Sequence, residues 1–331
     1  MTISWHFSDE PVKADSVGGR HILGALSVGR TGRRFEAPVL SIDMDVLGVD
    51  SATHGYTTQL VSSLPVTYDK VTLPAGHGGS LITAQTDDHL FGVVESSTTQ
   101  ATDVASYRAY KSLIESCRTA GKPHLLRIWN YVPQITALEN GVERYRLFNA
   151  GRHQALTETD YFAHHGAPAA CALGSHRGKL KIAFLASTRP AVPIENSRQI
   201  SAYKYPENYG IKPPIFCRAA WFSQITGNDI LFLSGTASIV GHQSLHDSDV
   251  ALQTYETLTN IQTVLEESNR LAGRQLWDFD HLRGQVYVRH PAEMATIKAI
   301  LVQHGLVNFT YLHADICRAE LLVEIEAYAQ R

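Results

Sequence analysis

Cysteine is scarce, and what there is suits neither a metal nor a disulfide framework. Cys117, Cys171, Cys217 and Cys317 lie far apart and form no C-x-x-C pair, which argues against a structural zinc site or a set of bridges. No run approaches the ~18 apolar residues that a membrane-spanning helix needs. The first residues, MTISWHFSDEPVKAD, lack the basic stretch and apolar stretch of a secretory leader. Neither sign of charge dominates: the formal net charge is -3, and no basic run interleaves with aromatics. Nucleic acid is therefore not an expected partner. Together these absences lead us to expect a reduced, cytoplasmic protein with no membrane attachment.

Nucleotide and nucleophile signatures are missing as well. There is no G-x-x-x-x-G-K-[ST], no G-x-G-x-x-G between a strand and a helix, and no G-x-S-x-G, which removes the P-loop, dinucleotide and serine-hydrolase readings. The glycine-rich GHGGS at 76–80 follows Pro74 and leads into LITA; it reads as a turn rather than an anion site. No H-E-x-x-H occurs, and His164 and His165 are adjacent, a poor arrangement for sharing one ion. The 16 histidines are otherwise scattered. We expect no metal and no cofactor.

What is present is an ordinary globular composition, 44% hydrophobic and 18% charged over 331 residues, enough for a large core and two domains. HILGALSVG and APVLSIDMDVLG read as strands. VASYRAYKSLIESCRTAG has helical spacing through Ala105, Tyr107, Tyr110, Leu113, Ile114 and Cys117, and Gly121 follows as a stop. PHLLRIWNYVPQI, APAACALG and KLKIAFLAS read as further strands. ENGVERYRLFNAGRHQALTE carries several basic residues among aromatics. The proline- and tyrosine-rich segment RPAVPIENSRQISAYKYPENYGIKPP reads as a crossover, so we divide the chain into domains at 1–200 and 201–331. The second part is clearer: DILFLSGTASIVG as a strand, then a helix with a stripe of Ala251, Tyr255, Leu258, Ile261 and Leu265, with Asp247 or Ser248 as N-cap. RGQVYVRHP is a strand, AEMATIKAILVQHG a helix ending at Gly305, and VNFTYLHADICRAELLVEIEA supplies two last strands. The class is α+β, with helices laid on one sheet face.

Two features ask for chemistry. In LLVEIEA, strand alternation puts Val323 and Ile325 on one face and Leu322, Glu324 and Glu326 on the other. The carboxylates either face water or line a cleft. Several arginines sit among apolar neighbours: Arg127 in LRIWNY, Arg144, Arg146 and Arg152 in ERYRLFNAGR, Arg218 in PPIFCRAAW and Arg289 in VYVRHP. Such guanidinium groups need partners. Spacing alone leaves internal ion pairs and bidentate recognition of an anionic substrate equally open.

SGTASIVGHQSLHDSDVALQTYETLTNIQTVLEES together with LLVEIEA resembles the RidA (YjgF) fold. The whole chain, through LRIWNYVPQI, RYRLFNAGR, SAYKYPENYG and SGTASIVGH, is similar to the chorismatase family, and most of all to its 3-hydroxybenzoate synthase branch, including the type that also releases 4-hydroxybenzoate. That resemblance implies two RidA-like α/β sandwich halves with mixed sheets and helices on one face. It also implies cleavage of chorismate, a dicarboxylate enol ether, to a cyclic acid and pyruvate without a cofactor. The first step in that family is protonation of the enolpyruvyl methylene carbon, which needs a carboxylic acid of raised pKa. By this resemblance the acid is Glu324, with Glu326 a structural or solvent-facing neighbour. Arg152, Arg218 and Arg289 are the expected carboxylate clamps, with Arg127 and Arg144 behind them. Tyr203 and Tyr209 would close the cleft.

Two small pocket positions set the product in the family. The aromatising branch has glycine and cysteine there; the hydrolysing branch has alanine and a valine-like residue. This chain has Ala237 and Cys317, a mixture, and the cysteine favours hydroxybenzoate. The alternatives are a chorismate hydrolase giving a dihydroxycyclohexadiene acid, a RidA-type imine or enamine deaminase, and a non-catalytic binding protein. A nucleophilic Cys317 is disfavoured beside a small packing role. Two fused halves imply a monomer or a weak oligomer.

Overall fold

The structure, a computed structural model, describes residues 3–8, 16–17, 19–28, 36–49, 57–72, 79–97, 100–206, 210–224 and 228–331. Tyr209 and most of the GHGGS turn lie outside these residues; the turn's last two residues open the strand Gly79–Gln85. Among the described residues no helix is long and apolar enough to cross a membrane.

Two large sheets dominate. The six-stranded sheet runs Ala169–Ser175, His124–Pro133, Lys181–Ser187, His89–Ser96, Gly79–Gln85, Thr67–Thr72. Its outer face carries α1 (Thr102–Thr119) and α2 (Arg144–Glu158), and α3 (Tyr161–His165) follows α2. The seven-stranded sheet runs Val192–Ile194, Ala219–Ser223, Asp229–Thr236, Val323–Gln330, Arg283–Val288, Phe309–His313, Asp45–Val49. Its outer face carries α4 (Val250–Ala272) and α5 (Met294–Gln303). The order strand, helix, strand, helix, strand, strand read from the second half is the order seen, and each large sheet has its helices on one face. The seven-stranded sheet also recruits two strands from before residue 200, one at each edge. A five-stranded sheet built on Arg20–Val28 and Thr57–Ser62 packs against both layers through Leu23, Leu26 and Leu60; nothing in the sequence pattern marks it as a separate sheet.

Between the two large sheets lies a core made by both inner faces, with Trp129, Tyr131 and Cys171 from one and Phe232, Tyr287 and Tyr328 from the other. The alternation in the terminal strand is thereby explained. Val323, Ile325, Ala327 and Ala329 pack under the helices. Glu324 and Glu326 point to the opposite face, which is the sheet–sheet interior rather than water, and are 4% and 1% exposed.

Two local readings change. The N-cap of α4 is Asp249, whose side chain accepts a hydrogen bond from the Leu252 amide at 2.9 Å; it lies nearer the first helical residue than Asp247 or Ser248. On that helix Leu258, Ile261 and Leu265 are buried, but Tyr255 is 42% exposed, and Thr254 and Thr257 face inward instead. The basic segment after Glu143 is a helix, α2. Gly151 lets it cross α1 closely, because a Cβ there would stand 2.0 Å from the Asp103 carbonyl oxygen.

Candidate active site

Glu324 sits where the strands Asp229–Thr236 and Ala169–Ser175 face each other. The antiparallel register of the terminal strand with Asp229–Thr236 slips between Leu233 and Thr236. Such bulges re-aim side chains, and here the irregular residues are Ser234 and Gly235. Ser234 joins the sheets: its Oγ accepts from the Ala170 amide at 3.0 Å and donates to the Cys217 carbonyl at 2.6 Å. Gly235 makes room for the acid. A Cβ at that position would lie 2.0 Å from Glu324 Oε1 and 3.3 Å from the Cys171 Cβ.

Around Glu324 the described lining residues are Tyr145, Arg152, Ala170, Cys171, Ala172, Phe216, Gly235 and Cys317. The cavity they enclose is about 30 Å³, far below the roughly 300–1,000 Å³ of sites that hold an organic ligand. The cleft is narrow as its walls stand. Burial pushes the Glu324 carboxyl up to about 8; the charge of Glu326 adds to this and Arg127 opposes it. That shift favours the protonated form of Glu324 at neutral pH.

Glu326, two residues on, has opposite surroundings. It forms a buried ion pair with Arg127 and accepts a hydrogen bond from Tyr287 Oη at 2.7 Å. Tyr287 and Tyr131 share a further bond of 3.0 Å between hydroxyls. Burial and the charge of Glu326 hold both phenols well above their ordinary pKa, so they remain O–H groups. A solvent-facing Glu326 is thus excluded. Arg127 also donates to the Leu233 carbonyl at 3.0 Å, and is held away from the cleft.

The other arginines separate. Arg152 lines the cleft, 2% exposed, over the Phe148 ring, with Nη2 donating to Asn149 Oδ1 at 2.6 Å. Its Nε is buried with no hydrogen-bond partner among the described residues. Arg218 lies behind Phe216, donating to the Ile200 carbonyl at 2.9 Å and Tyr205 Oη at 2.8 Å, and its Nε is likewise unpartnered. Arg289 is not brought to the cleft. It is bound to Asp315 at 2.6 Å and to the carbonyls of Leu321, Ile316 and Arg318, and so ties down the loop that carries Cys317. Arg144 is engaged with Glu139 at 3.1 Å and the Pro133 carbonyl, also outside the lining. Tyr203 packs on Phe162, with ring centres 5.3 Å apart, and it is Tyr205 that touches Arg218. Ala237 is buried beside the bulge, its carbonyl accepting from Asn260 Nδ2 at 3.0 Å. Burial and then the nearby Glu324 push the Cys317 thiol up to about 12, and burial holds the Cys171 thiol well above its ordinary value; neither is a thiolate at neutral pH.

Sequence reasoning missed Tyr145, Asn149, Phe216, Gly235, Cys171 and Arg318. A signal existed for two of them: once 144–158 is read as helical, Tyr145, Asn149 and Arg152 fall on one face. Arg318 donates to the His242 carbonyl at 2.9 Å and to Ser244 Oγ at 3.0 Å, and its charge reaches Cys317 and Tyr145.

A family profile described as "Chorismatase FkbO/Hyg5-like, N-terminal" matches residues 69–186. A chorismatase of Streptomyces rapamycinicus is 38% identical over 73% of this chain and 75% of its own length. A chorismatase of Streptomyces hygroscopicus is 34% identical over 91% of this chain and 96% of its own. A 3-hydroxybenzoate synthase of the same species is 33% identical over 67% of this chain and 68% of its own. A chorismatase crystal structure superposes with a TM-score of 0.85 at 29% identity, covering 99% of this chain and 98% of the other. The chain belongs to the chorismatase family.

Proposed function

We propose that this protein cleaves chorismate to a hydroxybenzoate, 3-hydroxybenzoate first among them, and pyruvate. The observation that carries the reading is Glu324, an acid kept protonated to about pH 8 in a narrow, thiol-lined cleft. Protonating carbon is slow, and a positioned acid with a pKa near the working pH is the group that assists it. Glu324 gives its proton to the methylene carbon of the enolpyruvyl group, and the ether carbon becomes an oxocarbenium. The neighbouring ring hydroxyl then displaces the pyruvate oxygen, and the arene-oxide-like ring aromatises with return of a proton. Chorismate is thereby divided into hydroxybenzoate and pyruvate with no atom gained or lost.

Arg152, through its unpartnered Nε, is the proposed clamp for one substrate carboxylate. Arg218 is the second, its own free Nε lying behind Phe216. Arg127 acts through Glu326 rather than on the substrate, and Arg289 through the Cys317 loop. Cys317, a neutral thiol beside Glu324, and Ala237 shape the space in which water or the ring hydroxyl attacks. Ala237 favours a second reading: by resemblance alanine at this position belongs to the hydrolysing branch, and water would then give a dihydroxycyclohexadiene acid plus pyruvate. We expect a monomer or weak oligomer working in the cytoplasm.

The test is incubation with chorismate, chromatographic separation of the products, and Glu324→Gln in parallel. Hydroxybenzoate and pyruvate, lost in the variant, support the reading. A diene diol acid moves the chain to the hydrolysing branch. Chorismate that disappears no faster than its uncatalysed decay would refute it.

A further inference from the structure

Away from the cleft, three residues distant in sequence meet at one edge of the seven-stranded sheet. Asp45 opens the strand Asp45–Val49 and stands opposite His313 in its antiparallel pairing with Phe309–His313. His176 follows directly on the strand Ala169–Ser175 of the other large sheet. Asp45 Oδ2 is 3.7 Å from His176 Nε2 and 3.7 Å from His313 Nδ1. One ligand atom from each of the three lies within 4.8 Å of the others. The imidazole rings have centres 4.6 Å apart. None of the three lines the cleft around Glu324.

The spacing is the informative part. These contacts are too long for hydrogen bonds, and His176 Nε2 is buried with no hydrogen-bond partner among the described residues. Bonds of about 2.0–2.1 Å in a tetrahedral site would set the donor atoms ~3.3 Å apart, so each Asp45–histidine distance needs to close by only a few tenths of an ångström, while the two imidazole nitrogens, within 4.8 Å of each other, turn inward around the ion. Two imidazoles and one carboxylate suit zinc and its neighbours rather than magnesium or calcium, which prefer all-oxygen shells. The Asp45 side chain is 78% exposed and those of His176 and His313 are 37% and 29% exposed. An ion can therefore enter and keep water as a fourth ligand.

We infer that Asp45, His176 and His313 bind one zinc-class divalent ion, which clips the Asp45–Val49 edge strand and the end of the six-stranded sheet to the seven-stranded sheet. The cysteine and histidine spacing gives no hint of this site, because each ligand comes from a different part of the chain. The site is independent of the reaction proposed above.

The experiment uses the full chain stripped of metal. Zinc is titrated by calorimetry, cobalt by visible absorption, and thermal unfolding is followed with and without zinc. The expected result is one ion per chain, a tetrahedral cobalt spectrum and a higher unfolding temperature with zinc. His176→Gln and Asp45→Asn should each weaken binding by more than the roughly 10-fold that even an outer partner can cost, and remove the thermal shift. Asp45 is exposed, so its variant keeps a folded chain should the histidine variant misfold. Zinc binding of unchanged affinity in Asp45→Asn, or no saturable binding by the parent, would overturn the inference.

Discussion

Replacing Gly235 with alanine should disable the acid without altering it. The added Cβ would fall 2.0 Å from Glu324 Oε1 and 2.9 Å from its Cδ, and 3.3 Å from the Cys171 Cβ. The backbone angles at 235 are not in the left-handed region, so the penalty is steric and local. Ordinary contact requires the carboxyl to retreat by more than 1 Å, and a misplacement of about 1 Å can cost on the order of 100-fold in rate. Overpacking costs about 1–3 kcal/mol, too little to unfold a chain of this size. The expected outcome is a kcat for pyruvate release at least about 100-fold lower, with a cooperative thermal transition lowered by a few degrees. Coupled detection of pyruvate and a calorimetric scan measure the two. A Gly235→Ala protein with kcat within twofold of the parent would refute the placement of Glu324 as the acid.

Activity should require the protonated form of Glu324, so kcat/KM should be level below about pH 8 and fall tenfold per unit above it; a stopped pH series measures this. The same raised pKa has a sign for stability. The unfolded chain releases this proton near the usual carboxyl range while the native state holds it to about 8, so Glu324 costs roughly 1.4 kcal/mol per pH unit across that window; Glu324→Gln should raise the unfolding temperature at pH 8 and leave it unchanged near pH 4. Arg127→Met should lower stability by about 3–5 kcal/mol in denaturant titrations, because Glu326 is left buried and unpaired, and Arg127→Met with Glu326→Leu should recover most of it. Arg152→Lys lacks an Nε donor and should raise KM for chorismate about 10- to 100-fold in steady-state kinetics, the worth of one hydrogen bond to a charged group.

The sequence was most legible where one period ran without interruption. The alternation of VEIEA and the helical spacing of α4 and α5 placed the last strand and its helices correctly, and the residue that the resemblance named, Glu324, is buried in a cleft between the sheets. Legibility failed where tertiary contacts override pattern. Arg127, Arg144 and Arg289 look like Arg152 in sequence, yet each has an internal partner: Glu326 and Asp315 come from other segments, and Glu139 from the short hairpin just before the helix of Arg144. Pattern cannot tell a satisfied guanidinium from one with a free N–H. Helix α2 was unclear because its buried face mixes Phe148 and Leu156 with Asn149, Gly151 and Arg152, which blurs the apolar stripe. The role of Gly235 depends on a carboxylate from the terminal strand, and no local pattern carries that.

Glu324 and Glu326 show what makes an acid out of one of two similar residues. They share a strand, a face and near-complete burial. Two bare carboxylates in such a place would both resist ionisation. The first large sheet supplies Arg127, and Tyr287 supplies a hydroxyl; both go to Glu326. Glu324 is lined by glycine, alanine and thiol neighbours, with Tyr145, Phe216 and Arg152 completing the cleft. The charge that Arg127 stabilises on Glu326 then helps keep the proton on Glu324. The raised pKa of Glu324 is therefore a product of the interface between the two sheets rather than of the strand that bears it. Arg127, from the six-stranded sheet, pairs with the carboxylate beside Glu324, which comes from the seven-stranded one.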